Sequence, residues 1–406
     1  MPQRVLSTIL CTDFSNVALT LSISESGDVY SLGNHNEGGH GYAEHWVFPH
    51  KVIPLLKQIV SMDIGDGHSI FLDIQGIVFT LGSNNYGQLG TGKDYKALKS
   101  THEPQKVDLP QIKQISCGGN FNMCVTTTGL VYTFGRNNNG SFGLGDIDIS
   151  YSSSPLQIDV LKDIDFLTCS HYHTVAKTIY NEIFVWGSDS CGNLGIGSTE
   201  YFESKPVKCV DWPDNIIDIK CGVSHVLVLT SSQEVYSCGS NEYYELGRIV
   251  DDDHAISLQK IDNLSNIVRI ECGKYHSLCI DVESRLFVFG DNFKGQLGLD
   301  ENVAKVQLPM EHPTLSNVID ISSGGDHTFI KTSNNEIYSC GNNLFSQIGI
   351  QTQDDANQFV PIQVFKGNED IWCSNITKTK AKSARFTSKR ENEEDSSPPL
   401  KKQKTK

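Results

Sequence analysis

Apolar residues along this chain fall in short runs rather than in long helical stripes, and seven of the runs share one order. An aliphatic residue, an aromatic, one variable residue and a fourth, mostly apolar residue precede a glycine. Aligned without gaps, the segments read GDVYSLGNHNEGGHG, GIVFTLGSNNYGQLG, GLVYTFGRNNNGSFG, NEIFVWGSDSCGNLG, QEVYSCGSNEYYELG, SRLFVFGDNFKGQLG and NEIYSCGNNLFSQIG. The anchor glycines are Gly33, Gly82, Gly135, Gly187, Gly239, Gly290 and Gly341, spaced by 49, 53, 52, 52, 51 and 51 residues. An aromatic stands three positions before each anchor, and a second glycine, from Gly41 to Gly349, stands eight positions after it.

The pattern predicts a β-strand with apolar groups on both faces, followed by a tight turn that glycine and asparagine can accommodate. Two more apolar runs precede each anchor strand, as in IKQISCGG and NMCVTTTG, and before them comes a Pro-associated strand such as EPQKVDL, SPLQIDV or KPVKCV. Four strands per unit of about 50 residues cannot cover both apolar faces alone, so the units must stack. The expected fold is all-β: a seven-bladed β-propeller of four-stranded antiparallel blades over residues 1–375. The first unit lacks its Pro-associated strand, whereas FVPIQVF and DIWCS follow the seventh and look like the missing outer strands. N- and C-terminal strands are therefore expected to share one blade and close the ring, with RVLSTILC and DIWCS competing for one position.

The repeat also disposes of a tempting motif. GQLGTGK, residues 87–93, nearly spells a phosphate-binding loop, but Asp94 stands where the magnesium-binding hydroxyl belongs and no helical stripe follows. It is the second repeat's turn.

The combination CGxxHxxx, GxVYxxG and GxNxxGQLG resembles the regulator of chromosome condensation family, over about residues 5 to 375, and the resemblance implies a seven-bladed propeller. Fourteen residues before the anchors stand His68, Phe121, His173, His225, His276 and His327; in the first repeat, read as carrying a short insertion, Ser15 is nearest in role. Each histidine is expected to satisfy backbone groups at a strand start in its own blade; only His171 and His173 could bring two imidazoles together. No metal site is expected, and no cofactor. The 12 cysteines show no CxxC pair and sit in apolar runs, as small core residues do.

No nucleophile–base pairing or pair of carboxylates at telling spacing points to an enzyme. The repeats instead place six short turns between CG and His on one face, from Asp66-Gly67 to Gly325-Asp326, where varied polar and aromatic residues suit protein recognition. In family members that are guanine-nucleotide exchange factors for the Ran-type small GTPase, acidic and histidine residues of this ring contact the GTPase. Position by position, the resemblance carries that role to Asp66, His68, His171, His173, Asp326 and His327. The unit spacings are nearly uniform, so no long inserted wedge of the kind that loosens nucleotide is evident; residues 136–154 come nearest.

Charge divides the chain. From Asn375 onward there are ten Lys/Arg and four Asp/Glu, hence +6, which leaves −21 of the total −15 for the remainder. Residues 376–406 read as a disordered basic tail. Lys389, Arg390, Lys401, Lys402 and Lys404 read as a two-part nuclear import signal, the alternative being a merely solubilising tail, and phosphorylation at Ser397-Pro398 between the clusters is expected to weaken import. A ring at −21 repels DNA and favours basic partners. No membrane span or signal peptide is apparent.

The expectation is a nuclear, monomeric protein-interaction propeller, with a cytoplasmic pool, that docks a Ran-type small GTPase or chromatin proteins and meets an import receptor through its tail. The alternatives are a true exchange factor, or a recognition module of a ubiquitin or trafficking complex.

Overall fold

The computed structural model describes residues 18–24, 26–34, 46–350 and 352–362. All regular structure among them is β: seven antiparallel sheets, six of four strands and one of three, in the arrangement of a propeller. In the second sheet the strands Ile59–Ile64, His68–Asp73, Val78–Ser83 and Ser100–Lys106 pair in chain order. Consecutive antiparallel strands need only short turns, which is why a 50-residue unit suffices.

First strands of successive sheets lie against one another from Ile59–Ile64 through Val318–Ser323, so they are innermost. The fourth strands are outermost and largely exposed on both faces. Here the structure corrects the expected phase of the repeat: the Pro-associated strand follows its anchor strand. Ser100–Lys106 pairs with the strand carrying Gly82, and Ala356–Pro361 pairs in the same way with the strand carrying Gly341. FVPIQVF thus begins in the ordinary outer strand of the last sheet and does not supply the first unit. The first sheet has its own outer strand, Trp46–Val52, and the strand without a counterpart among the described residues is the innermost one. RVLSTILC and DIWCS, the candidates for it, lie outside the described residues, as do the 375/376 boundary and the tail. An outer position also suits proline, which donates nothing to a ladder.

The two glycines of the repeat have separate tasks. All seven anchors have φ between +100° and +109°, where a side chain is strained, and all seven sit at a bulge toward the outer strand. A Cβ on Gly135 would come within 2.7 Å of Phe121 Cα on the neighbouring strand. The second glycine makes room for the next sheet instead: a Cβ on Gly90 would meet Phe134, and one on Gly143 would meet Trp186. The Asn between them holds the turn. Asn84, Asn137, Asn241, Asn292 and Asn343 each accept the backbone N–H five residues on, at 2.9–3.2 Å, and Asp189 does so at 2.8 Å. In the former phosphate-loop candidate, Asn84 also donates to the Lys93 carbonyl at 2.8 Å, so GQLGTGK is tied down by its own turn.

The core lies between sheets. Ile70, Leu72 and Val78 of the second sheet pack with Ile112, Ile115 and Phe134 of the third. A polar latch recurs at the same seams: Asn122 donates to the Gln88 carbonyl at 2.9 Å, Ser277 to Glu245 at 2.8 Å, and Thr328 to Gln296 at 2.7 Å. Thr20 of the first sheet makes the same bond, at 2.8 Å, to Gln347 of the last. The seam between chain start and chain end therefore repeats the seams within the series. Thr20 follows Leu19, which pairs with Gly33. Leu19, not Ser15, occupies the histidine position of the first repeat, and no insertion separates it from the anchor.

Candidate functional site

Because each anchor glycine pairs with the residue fourteen before it, as in His68 with Gly82 and His327 with Gly341, the loops ahead of the histidines and the turns after the anchors share one face. The inner loops are stitched together. Asp66 N–H donates to the Gly119 carbonyl at 2.6 Å, Gly119 to His171 at 3.1 Å, Val223 to Lys274 at 3.4 Å and Lys274 to Gly325 at 3.0 Å; Ser170 Oγ donates to the Val223 carbonyl at 3.1 Å. This belt runs from the second sheet to the seventh and fixes a polar rim around the axis.

Three of the expected residues are interior. His68 and His173 are fully buried and His327 is 1% exposed. Burial holds the imidazole of His68 down to about 4, that of His173 to about 3 and that of His327 to about 4, so all three are neutral near pH 7. The bonding also differs from expectation. His68 Nε2 meets Asn122 Oδ1 at 3.0 Å, His225 meets Ser277 at 3.1 Å and His276 meets Thr328 at 2.9 Å, each in the next sheet. The histidine ring thus joins blades to one another through side chains and does not serve its own backbone. Both ring nitrogens of His173 and the Nε2 of His327 have no hydrogen-bond partner among the described residues.

The other expected residues lie in the rim loops, Asp66 and Asp326 half-buried and His171 buried beneath them. Asp66 and His171, 105 positions apart, meet with Nε2 at 2.7 Å from Oδ1 and 2.9 Å from Oδ2. Asn120 donates to the same Oδ2 at 3.0 Å, so one carboxylate ties three consecutive sheets. Gly119 permits the approach, since a Cβ there would lie 2.7 Å from His171 Cδ2 and 3.0 Å from Asp66 Oδ2. His171 therefore turns to Asp66 and not to His173. Asp326 is half-buried across the rim, and its carboxylate helps raise the Tyr275 phenol, which burial first and then Tyr243 push up to about 12. Lys389, Arg390, Lys401, Lys402 and Lys404 lie outside the described residues.

Two further groups escaped the sequence reading. On the fifth and sixth sheets Tyr243 stacks on Tyr275 with centroids 4.7 Å apart, and the Lys305 ammonium lies 4.4 Å from the Tyr243 ring and 5.6 Å from that of Tyr244. The replacement of NxxGQ by NEYYE was its signal. The inner strands also carry a charged lining, with Lys220 to Glu271 at 2.9 Å, Arg269 to Asp320, and Asp63, whose carboxyl burial raises to about 6. Alternating polar residues in IIDIKC and IVRIEC mark it. Among the described residues no group of three or more His, Cys, Asp or Glu is placed to hold a metal. The arrangement offers a rigid, chemically varied surface.

Comparison with known proteins places this geometry in a class. Residues 150–385 match the RCC1-like domain, residues 75–125 match the regulator of chromosome condensation (RCC1) repeat, and a second form of that repeat matches residues 59–88 and 112–141. The ultraviolet-B receptor UVR8 of Arabidopsis thaliana is 30% identical over 82% of this chain and 77% of its own. The chain belongs to the RCC1 repeat family.

The regulator of chromosome condensation of Xenopus laevis is 25% identical over 81% of this chain and 82% of its own. Among solved structures, Saccharomyces cerevisiae Prp20p, described with its binding to Gsp1p and histones, superposes with a TM-score of 0.73 at 19% identity, over 89% of this chain and 87% of its own. Yeast RCC1 (Prp20) in complex with Kap60 gives the same TM-score at 20% identity, over 89% and 85%. The propeller thus shares the fold of these proteins.

Proposed function

We propose that this chain is a nuclear docking propeller whose belted loop face binds a basic protein surface, that of a Ran-type small GTPase or of a chromatin protein. The observation that carries the reading is the belt itself, because it holds the loops that bear Asp66, Tyr275 and Asp326 on one rim and so lowers the ordering cost of binding. The net −21 outside the tail steers basic partners. His68, His173 and His327 act beneath the surface, and the contacts fall to Asp66, Asp326 and the aromatic group. Prp20p binding to Gsp1p and histones supports a partner of this kind.

A second reading, guanine-nucleotide exchange on a Ran-type GTPase, is favoured by the similarity to the Xenopus regulator over 82% of its length. One assay separates the two. A Ran-type GTPase carrying fluorescent GDP is mixed with catalytic amounts of the protein: accelerated release that Asp326→Ala abolishes supports exchange, whereas binding with unchanged release leaves docking alone.

The tail would engage an import receptor through Lys389, Arg390, Lys401, Lys402 and Lys404, in line with the Kap60 complex of yeast RCC1. Removal of residues 376–406 should shift the protein from nucleus to cytoplasm. A fourth, innermost strand from a chain terminus would complete the first sheet as a seventh full blade, and the ring would function as a monomer.

A further inference from the structure

On the same face, outside the belt, the loops after the anchor turns of the third, fourth and fifth sheets present a run of exposed apolar side chains: Ile147 and Tyr151, Tyr201 and Phe202, and Ile249. Ile147 is 61% exposed, Tyr201 77% and Ile249 71%, and it is their clustering in neighbouring loops that sets them apart. The three loops are physically joined. Gly145 N–H donates to the Ser204 carbonyl at 2.8 Å, and Gly197 N–H donates to the Ile256 carbonyl at 2.8 Å, so each loop leans on the outer strand of the next sheet. The apolar groups therefore sit along one continuous arc on a held backbone.

Charge says what would cover them. Asp146 and Asp148 flank Ile147, Glu200 and Glu203 bracket Tyr201-Phe202, and Asp251-Asp252-Asp253 follow Ile249. Among the described residues none of these carboxylates is in an ion pair. Arg248 is spent inward on Ser237 and Gln259, and the one other cation within the arc is Lys205, which lies over Gly145. An acidic partner would be repelled, and a purely apolar one would strand the carboxylates.

We propose that this outer arc docks a cationic, amphipathic segment of a partner protein, whose apolar side chains cover Tyr201, Phe202 and Ile249 while its Lys or Arg residues meet the flanking carboxylates. The arc uses none of Asp66, His171, Tyr275 or Asp326, so it stands apart from the central rim and from the GDP-release assay.

The test uses the full chain and two labelled peptides of about 14 residues, one of Lys and Leu at amphipathic helical spacing and one with Ser in place of each Leu. Anisotropy should show the Lys/Leu peptide binding at least about tenfold more tightly, since partial burial of a few apolar side chains supplies that factor. The gap should vanish in Tyr201→Ser/Phe202→Ser/Ile249→Ser. It should persist in Ile179→Ser/Tyr180→Ser, which removes equally exposed groups from the opposite face. Hydrogen exchange on the unaltered protein should show protection by the Lys/Leu peptide at residues 146–151, 198–205 and 248–254, and this readout decides the matter even if the triple variant fails to fold. Equal binding of both peptides, a gap that survives the triple variant, or protection confined to other loops overturns the proposal. A positive result alongside unchanged GDP release would leave the arc standing and remove only exchange at the central rim.

Discussion

Replacement of Glu245 by glutamine should stabilise the protein at alkaline pH and leave it nearly unchanged at acid pH. Four of the repeats carry the same hydrogen bond at this point of the turn. Gln88, Gln296 and Gln347 each accept a backbone N–H through Oε1 at 2.8–2.9 Å, and Glu245 accepts that of Tyr243 at 2.9 Å. Glu245 is fully buried, and its second oxygen lies 3.1 Å from Ser240 Oγ, a group that an amide could donate to equally well. Burial raises this carboxyl from 4.5 to about 7, with Glu242 adding to the rise. The unfolded chain releases the proton near its ordinary value, whereas the folded one holds it to about neutrality. The stability associated with the proton is therefore complete below about pH 4.5 and is lost as pH rises toward 7. At about 1.4 kcal/mol per pH unit, the loss approaches 3 kcal/mol above neutrality. Glutamine carries no such loss. Urea unfolding at pH 4 and pH 8, followed by tryptophan fluorescence, should show Glu245→Gln raising the midpoint at pH 8 by the equivalent of about 2–3 kcal/mol and hardly at all at pH 4. An equal gap at both pH values, or a variant weaker at pH 8, refutes the reasoning.

Other perturbations test the remaining contacts. Asp66→Ala leaves the buried His171 ring without its hydrogen-bond partner and should cost about 1–3 kcal/mol; because the two act as a unit, a double change with His171→Ala should cost little more, and strict additivity in a double-mutant cycle would contradict the pairing. Gly135→Ala, at φ +109°, should cost about 2 kcal/mol or more in thermal or urea unfolding, and an unchanged midpoint would mean that the anchor is not strained. Asn292→Ala removes the acceptor of Leu297 N–H and the donor to the Val303 carbonyl, with an expected loss of about 1–3 kcal/mol that Asn292→Asp should partly restore. Among the ten described cysteines, Cys191 should alkylate first in the native protein, because burial pushes the Cys124 thiol and its buried counterparts far up, and even half-buried Cys209 rises to about 12. Mass spectrometry that finds Cys117 or Cys238 modified as fast would sink this ordering.

What was legible in the sequence was whatever the backbone itself demands. Gly82 and Gly135 are glycines because their φ values near +104° and +109° exclude side chains, so recurrence at fixed spacing reports the fold. Asn84 and its counterparts are legible for the same reason, since their oxygens serve N–H groups five residues away. Partner choice across sheets is a different matter. Ser100–Lys106 has an apolar neighbour on either side in sequence, and nothing in its own residues tells that it pairs backward with Val78–Ser83. His68 reads equally well as bonded within its sheet or to Asn122 in the next. Asp66 and His171 are brought together by the curvature of the ring, and Lys305 reaches Tyr243 from the neighbouring sheet. These contacts depend on how blades seat against one another, which local patterns do not carry.

The central claim is that one belted face of the propeller, with Asp66, Tyr275 and Asp326 on its rim, meets the partner. Hydrogen exchange of the full chain with and without a GDP-loaded Ran-type GTPase addresses it directly. Slowed exchange is predicted at residues 65–67, 118–120, 170–172, 223–224, 274–275 and 325–326, with no change in the turns at 74–76, 179–181 and 282–284 on the opposite face. Protection at those opposite turns, with the inner loops unaffected, would contradict the account.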